Sequence, residues 1–170
     1  MKAIVLAILL AIGGWWYFIG GRTLTPEQVT AFYRDYEAAT LNREPDKLCA
    51  MLADDFSSEA AVRVAGQPRP RVDILNKEET CESLRHTYAA WEEIGQKMGG
   101  MLQLDSNYTL RNIQIAKNRK QATVEVQSSL DIGGSIMSMR SRTQDTLVRR
   151  NGKVLLLRSE GTGQVNMGGA

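Results

Sequence analysis

Two aspartates and one histidine are the side chains in this sequence that are best suited to proton transfer. His86, the only histidine, lies in a stretch with helical spacing, whereas Asp131 and Asp145 lie in stretches with the alternation of β-strands. Carboxylates and imidazoles with tuned pKa values are the usual general acids and bases of enzymes. Asp131 alternates with polar residues, which indicates a solvent-facing side. No motif that defines a reaction accompanies these residues, so the sequence predicts no catalytic residue.

Methionine thioethers are a second source of chemistry. Met137 and Met139 would share one face of a strand, and Met98 and Met101 flank two glycines. Thioethers can bind Cu(I), but methionine far more often fills irregular gaps in a core. A zinc signature is absent, because the chain has one histidine and no Cys-x-x-Cys motif. We therefore expect no metal and no cofactor.

Two cysteines, Cys49 and Cys81, could form a covalent link. In an oxidising compartment such a pair usually becomes a disulfide. Closing a loop of this length contributes on the order of 3–4 kcal/mol to stability. The sequence predicts a bridge between two helices, and two reduced core cysteines are the alternative for a cytosolic domain.

The N-terminal segment determines where this chemistry takes place. Residues 3–21 are uncharged, include the aromatic run Trp15–Phe18, and are flanked by Lys2 and Arg22. A helix of this length, at ~1.5 Å per residue, spans roughly 28 Å and matches the ~30 Å hydrocarbon core of a bilayer. Residues 1–22 are therefore predicted to be a transmembrane anchor, with its aromatic rings at the interface.

A cleaved secretory signal is the alternative interpretation of this segment. The nearest small-x-small candidates, Ile19-Gly20-Gly21 and Ala11-Ile12-Gly13, match a cleavage site poorly. Both interpretations export the rest of the chain. We predict a single-pass protein of the inner (cytoplasmic) membrane whose C-terminal domain, residues 23–165, lies in the periplasm and ends in a flexible tail at 166–170.

Charge balance limits the partners of this domain. Two of the 21 basic residues flank the anchor, which leaves 19 basic against 19 acidic residues. Residues 23–105 carry 15 acidic and 9 basic side chains, whereas residues 106–170 carry 4 and 10. Nucleic-acid binding requires a clustered basic excess, so we exclude it. A basic surface for an acidic partner or anionic headgroups is one interpretation of the asymmetry, and two solvated faces are the other.

Three helices are predicted in the first half of the domain. Thr25-Pro26-Glu27-Gln28 and Asn76-Lys77-Glu78-Glu79 are capping boxes that begin the first and third helices. The second helix begins at Pro45 and is predicted to run to Phe56. Residues 57–75 show no clear period, and their Gly66–Pro70 stretch indicates an irregular turn or edge.

Strands are predicted in the second half. Gln121–Ile132 alternates apolar and polar residues, Tyr108–Ala116 precedes it, and Ile136–Arg149 and Val154–Ser159 flank a turn at Asn151-Gly152. This order predicts an α+β fold, with three N-terminal helices packed on a curved antiparallel sheet of about four strands.

Between Thr25 and about Val165 the chain resembles the nuclear transport factor 2-like (SnoaL-like, cystatin-like) superfamily. The resemblance rests on the stretches Pro45–Phe56, Asn118–Val126 and Arg150–Leu156. It implies a cone formed by three helices and a bent sheet, with a pocket inside. The superfamily includes enzymes, binding modules and assembly scaffolds, so the resemblance implies a fold and leaves the function open.

A pocket of this kind would be formed by aromatic and apolar side chains. We expect Tyr36, Trp91 and Met139 to shape it and Asp145 to point into it, since pocket enzymes that resemble this fold use an Asp, His or Tyr for proton transfer. For Asp145 a cross-strand charge pair is the alternative. A basic sheet edge would be formed by Arg140, Arg142, Arg149 and Arg150.

Three functions remain compatible with the sequence. The preferred one is a membrane-anchored, non-catalytic periplasmic module that binds a protein or lipid-like ligand through the cone or the basic sheet surface. The second is a structural subunit of an inner-membrane complex such as a secretion system. The third is a pocket enzyme that acts as an isomerase, cyclase or dehydratase. The expected partners are the membrane, through residues 3–21, and a protein partner or a second copy of the chain.

Overall fold

A computed structural model describes Ile8 and residues 23–100, 102–134 and 136–168. The predicted anchor, residues 1–22, lies outside the described residues except for Ile8, and so do Met101 and residues 169–170. Among the residues that are described, no helix is both long enough and apolar enough to cross a lipid bilayer.

Three helices are described, and they begin where the sequence predicts. They are α1 (Pro26–Leu41), α2 (Pro45–Ala50) and α3 (Lys77–Lys97). Thr25 and Gln28 form the capping box of α1, and Asn76 and Glu79 form that of α3. Each box satisfies backbone N–H groups that a helix start leaves without partners.

Six strands form one sheet behind these helices. They are β1 (Leu52–Val64), β2 (Arg71–Asn76), β3 (Leu104–Ile115), β4 (Gln121–Ile132), β5 (Met137–Arg150) and β6 (Lys153–Met167). Their order across the sheet is β2-β1-β6-β5-β4-β3. All neighbouring pairs are antiparallel except β1 and β6, which are parallel. The last strand therefore lies in the middle of the sheet, and its end at Met167 includes residues 166–167 of the predicted tail.

The prediction of a four-stranded antiparallel sheet is wrong, because β1 and β2 add two strands and β1 runs parallel to β6. The predicted second helix is also too long: α2 ends at Ala50, and Phe56 belongs to β1. Leu52 pairs with Leu156, and the N–H of Leu156 donates to the carbonyl of Met51 at 2.9 Å. This pairing across the fold outweighs the local helical pattern, as strand formation commonly depends on tertiary context.

The core lies between the helices and one face of the sheet. We call the face toward the helices the inner face and the opposite one the outer face. The inner face contributes buried side chains from alternating strand positions, among them Val124 and Val126 of β4 and Leu147 of β5. α1 contributes Val29, Phe32 and Tyr33. A second buried cluster, toward the other end of the helices, contains Tyr88 and Trp91 of α3.

The predicted disulfide is confirmed. Cys49 of α2 and Cys81 of α3 are bridged, with their Cα atoms 5.5 Å apart, within the usual range for disulfides. Both residues are buried. The bridge joins the short α2 helix to the long α3 helix, and therefore fixes two of the elements that cover the sheet.

Two glycines interrupt the side chains on the inner face of β6. A Cβ atom on Gly161 would lie 2.7 Å from the Cα atom of Thr143 and still closer to the carbonyl oxygen of Arg142. A Cβ atom on Gly163 would meet Val62 at an ordinary 3.7 Å. Glycine within a strand often marks a close approach of two backbones. Here it permits β6 to approach β5 closely at Gly161.

Candidate functional site

A cavity of about 530 Å³ lies between the helices and the inner face of the sheet. Its wall is formed by aromatic and aliphatic side chains from α1, α3 and strands β3 to β6. This volume is in the range of small-molecule pockets. Among the described residues, Asp145 is the one buried charged side chain, and it lies on this wall with 5 % of its surface exposed.

Asp145 is held by hydroxyl groups from two other elements. The Tyr33 hydroxyl, on α1, donates to Oδ2 of Asp145 at 2.7 Å, and the Ser159 hydroxyl, on β6, donates to Oδ1 at 2.7 Å. Tyr33 projects from α1 toward the sheet, because it lies on the face of the helix that packs on the sheet. Ser159 lies opposite Asp145 in the ladder between β5 and β6. The carboxylate is therefore fixed in position by a helix and a strand.

Burial raises the pKa of Asp145 above its ordinary value of 3.8, because the charged form loses its hydration. Hydrogen bonds from Ser159, Tyr33 and Thr143 act in the opposite direction, since they stabilise the carboxylate. Burial is the larger effect. The site thus contains a carboxyl group that holds a proton more tightly than an exposed aspartate does.

The two tyrosines near Asp145 remain protonated. Burial first, and then the negative charge of Asp145, raise the pKa of Tyr33 far above its ordinary value. The same two causes raise the pKa of Tyr36 to about 12. Both phenols therefore act as hydrogen-bond donors or acceptors at neutral pH and do not ionise.

A second polar point lies further along the same wall. The hydroxyl groups of Ser128 on β4 and Ser141 on β5 are 2.7 Å apart. Ser141 and Asp145 project from the same face of β5, and four residues of strand separate them by roughly 13 Å. Thr143 and its cross-strand partner Val126 lie between these points, and Met139 and Leu130 lie beyond the serine pair. The cavity is therefore mostly apolar, and its polar lining includes these two points together with side chains such as Glu37 and Thr87.

Solved structures with the same architecture come from several bacteria. A candidate scytalone dehydratase from Novosphingobium aromaticivorans superposes with a TM-score of 0.55 at 13% identity, over 79% of this chain and 80% of that one. A nuclear transport factor 2-like protein of unknown function from Shewanella oneidensis gives 0.57 at 12%, over 80% and 97%. ActVI-ORFA from Streptomyces coelicolor gives 0.56 at 13%, over 81% and 95%.

The chain has the nuclear transport factor 2-like fold. At these identities the similarity establishes the fold and no more. No family model matches the sequence, and no curated protein matches it either.

The four predicted pocket residues all lie on the wall of the cavity in this nuclear transport factor 2-like domain. Tyr36 comes from α1, Trp91 from α3, and Met139 and Asp145 from β5. Trp91 packs edge to face on Tyr88, with ring centroids 5.1 Å apart. The cross-strand charge pair considered for Asp145 is wrong, because its two oxygens accept hydrogen bonds from Tyr33 and Ser159.

The four predicted basic residues do not form one sheet edge. β5 lies inside the sheet, so Arg140 and Arg142 project from its outer face, where Arg142 lies 3.6 Å from Glu125. About eight residues of strand, roughly 26 Å, separate Arg142 from Arg150 at the far end of β5. There Arg149 donates to the carbonyl of Thr23 at 2.8 Å, and Arg150 forms a two-pronged pair with Asp55.

The other candidates for proton transfer or metal binding are His86, Met137 and Met139. His86 is on the exposed side of α3, 3.7 Å from Glu82. Met137 and Met139 both line the cavity. Within residues 23–100, 102–134 and 136–168, no group of three or more His, Cys, Asp and Glu side chains is arranged to bind a metal ion.

The sequence analysis does not identify two residues of the site, Tyr33 and Ser159. In the sequence Tyr33 is one of several aromatic residues on the core-facing side of a helix. Its hydroxyl indicates a polar partner, because a buried tyrosine usually needs one. Ser159 could not be assigned, because the register of β5 and β6 shifts between Thr146 and Leu147.

We expect Asp145→Asn to change how stability depends on pH. The raised pKa means that the folded state binds the Asp145 proton more tightly than the unfolded state does. This contribution to stability is present below about pH 3.8 and is lost as pH rises through the folded-state pKa. The free energy of unfolding of the variant should therefore increase relative to that of the wild type as pH rises, by at most ~1.4 kcal/mol per pH unit. Urea unfolding between acidic and neutral pH measures this difference.

Asp55→Asn is the matched control for that measurement. The hydrogen bond from Arg150 is the main cause that lowers the pKa of Asp55. The contribution of the Asp55 carboxylate to stability is present above the unfolded pKa and is lost as pH falls. The stability of this variant should therefore decrease relative to that of the wild type as pH rises. A difference for Asp145→Asn that is flat, or that has the same sign as this control, would contradict a raised pKa at Asp145.

Proposed function

We propose that this domain is a binding module that holds a small, mostly apolar ligand in the cavity and engages one polar group of that ligand at Asp145. One observation carries the proposal: a single buried carboxylate, fixed by two hydroxyl donors, on the wall of a mostly apolar cavity of about 530 Å³. Specific ligand pockets typically combine an apolar lining with a few placed polar groups.

The geometry at Asp145 indicates which ligand chemistry fits. A carboxylate offers about four acceptor positions, and Tyr33 and Ser159 each occupy one of them. A hydroxyl, amide or amine of the ligand can donate to a remaining position. The aromatic rings of Tyr36 and Trp91 would contact the apolar body of the ligand.

In this proposal the module is non-catalytic and works on the periplasmic side of the inner membrane. The uncharged run at residues 3–21 supports an anchor there. A protein partner, or a second copy of the chain, binds the outer face of the sheet at Arg140 and Arg142, which are both exposed. Arg142 lies 3.6 Å from Glu125. Such a partner would link the module to a larger inner-membrane complex, in which it acts as a structural subunit.

A pocket enzyme is the second candidate function, and Asp145 is the observation that favours it. A buried carboxyl group whose pKa is raised by burial is suited to exchange a proton with a substrate. The candidate scytalone dehydratase shares this fold. In an isomerase, cyclase or dehydratase Asp145 would transfer the proton, and the protonated Tyr33 would orient it.

Energy transfer from Trp91 to a bound dye tests the binding proposal. The chain has three tryptophans, so Trp15→Phe and Trp16→Phe leave Trp91, on the cavity wall, as the single donor. The probe is dansylamide, whose naphthalene ring fits an apolar cavity and whose sulfonamide N–H can donate to Asp145. We expect saturable transfer with the full chain in lipid vesicles. The N,N-dimethyl sulfonamide should bind about tenfold more weakly, since hydrogen bonds to charged groups contribute ~1.5–3 kcal/mol.

Two variants of α3 provide matched controls. Thr87→Phe adds a ring to the cavity wall and should abolish saturable transfer, whereas Ala90→Phe adds the same ring on the exposed side of the helix and should leave it unchanged. Equal transfer in both variants would mean that the dye binds outside the cavity, and the proposal would be wrong. If Asp145→Asn retained dye binding and abolished turnover of a dehydratase or isomerase substrate, the enzyme candidate would replace it.

A further inference from the structure

One end of the domain carries a cluster of basic side chains on two neighbouring turns. The first turn, residues 116–121, joins β3 to β4, and the second, residues 150–153, joins β5 to β6. The turns are adjacent, because the N–H of Arg149 donates to the carbonyl of Lys120 at 3.3 Å. We call this region the basic end. Its basic residues are Lys117, Arg119, Lys120, Arg149, Arg150 and Lys153.

Most of these charges are not neutralised by carboxylates. Arg150 is paired with Asp55, through contacts of 2.6 and 2.9 Å, so its charge is neutralised. The side chain of Arg149 donates to the carbonyls of Thr23 and Gly152, which carry no net charge. The remaining four basic side chains are exposed, and none forms an ion pair with a residue that the structure describes: Lys117, Arg119, Lys120 and Lys153.

The N-terminal segment joins the domain at this same end. The N–H of Leu24 donates to the carbonyl of Arg119 at 2.6 Å, and the guanidinium group of Arg149 donates to the carbonyl of Thr23. Leu24 is fully buried. The chain is therefore fixed to the basic end from Thr23 onward, and the uncharged run that ends at Gly21 is two residues away along the sequence.

We infer that the basic end docks on the anionic lipid headgroups of the membrane that holds residues 3–21. The inference rests on the anchoring part of the proposed function. A tether of two residues keeps the exposed lysines within about one Debye length, ~8–10 Å, of the headgroups. At that distance each lysine or arginine is attracted to an anionic surface. Docking would hold the domain upright, with the outer face of the sheet facing sideways.

Hydrogen exchange of the full chain in lipid vesicles tests this inference. The vesicles are made of phosphatidylcholine alone or of phosphatidylcholine mixed with phosphatidylglycerol. In the anionic vesicles we expect the amides of residues 116–121 and 150–153 to exchange about fivefold to tenfold more slowly, as the attraction of several basic residues implies. Residues 65–70, at the other end of the domain, should exchange equally in both. Salt at about 1 M, where the Debye length is ~3 Å, should remove the difference.

Two triple variants with the same change in net charge separate docking from general charge effects. Lys117→Glu, Lys120→Glu and Lys153→Glu should abolish the protection. Arg63→Glu, Arg69→Glu and Lys97→Glu, at the opposite end of the domain, should retain it. Unfolding followed by Trp91 fluorescence, in chains that also carry Trp15→Phe and Trp16→Phe, verifies that both variants are folded.

The outcomes distinguish docking from anchoring. If the chain floats with both kinds of vesicle while the two turns exchange at the same rate in each, docking is wrong and the anchor stands. Loss of protection in both triple variants would also overturn docking at the basic end. If the chain floats with neither kind of vesicle, the anchor is wrong, and the inference that rests on it is overturned as well.

Discussion

Replacing both cysteines by alanine should lower the free energy of unfolding by about 3–4 kcal/mol. The bridge closes a loop with a sequence separation of 32 residues. Its removal releases the unfolded chain and uncouples α2 from α3. Alanine is chosen because serine would leave a hydroxyl group in a site where both cysteines are buried. Urea unfolding of the full chain in vesicles, with Trp15→Phe and Trp16→Phe so that the fluorescence comes from Trp91, measures the loss.

The unmodified chain in a reducing agent is the control for this prediction. It should lose nearly the same stability as the double variant, since the bridge is broken without a change in sequence. A reducing agent should have no effect on the double variant. If the reduced wild type were as stable as the oxidised form, the bridge would not be a main contributor to stability.

Gly161→Ala should destabilise the domain by about 3 kcal/mol, at the upper end of the usual cost of overpacking. The added Cβ atom would collide with backbone atoms of Arg142 and Thr143, which cannot rotate away as a side chain can. β5 would have to separate from β6 beside Asp145. We therefore expect Gly161→Ala to weaken dansylamide binding as well as stability.

Gly163→Ala is the matched control, two residues further along the same face of β6. Its Cβ atom would meet Val62 and the carbonyl of Arg140 at ordinary distances of 3.7 and 4.0 Å. The variant should be as stable as the wild type or gain about 0.5 kcal/mol, because alanine restricts the unfolded chain. Equal losses for both variants would show that the close approach at Gly161 is not what determines the cost.

The elements predicted correctly from the sequence depend on local signals. Both capping boxes act within four residues, and β3, β4 and β5 alternate along their own length. β1 and β2 could not be predicted in this way. β1 pairs with β6, whose residues follow about 100 positions later, and its sequence has both helix formers and polar residues. The partner and register of such a long-range pairing cannot be predicted from β1 alone.

In the candidate site, too, some features depend on local signals and others on how distant strands pair. The Asn151-Gly152 turn sets the register of β5 and β6, so that Leu147 faces Leu156. Continued without interruption, that register would bring Arg158 opposite Asp145 and would produce an ordinary charge pair. A bulge at Leu157 shifts the ladder by one residue. Ser159 therefore faces Asp145, and Arg158 turns outward to Glu160 at 3.3 Å.

This single bulge accounts for the chemistry of the cavity. With arginine beside it, Asp145 would be a paired, permanently ionised side chain. With serine and tyrosine hydroxyls beside it, Asp145 has neutral partners and a pKa that burial raises. Bulges are common near functional sites because they redirect a side chain.

The position of β6 between β1 and β5 has a consequence for how the protein is made. During synthesis the chain emerges from its N-terminus, so β1 and β2 exist long before β6. Until Met167 has left the ribosome, the strands can form only two separate pieces, β1 with β2 and β3 with β4 and β5. Each piece has an open edge that can pair with another chain. We therefore expect a chain that ends before residue 153 to aggregate through these edges.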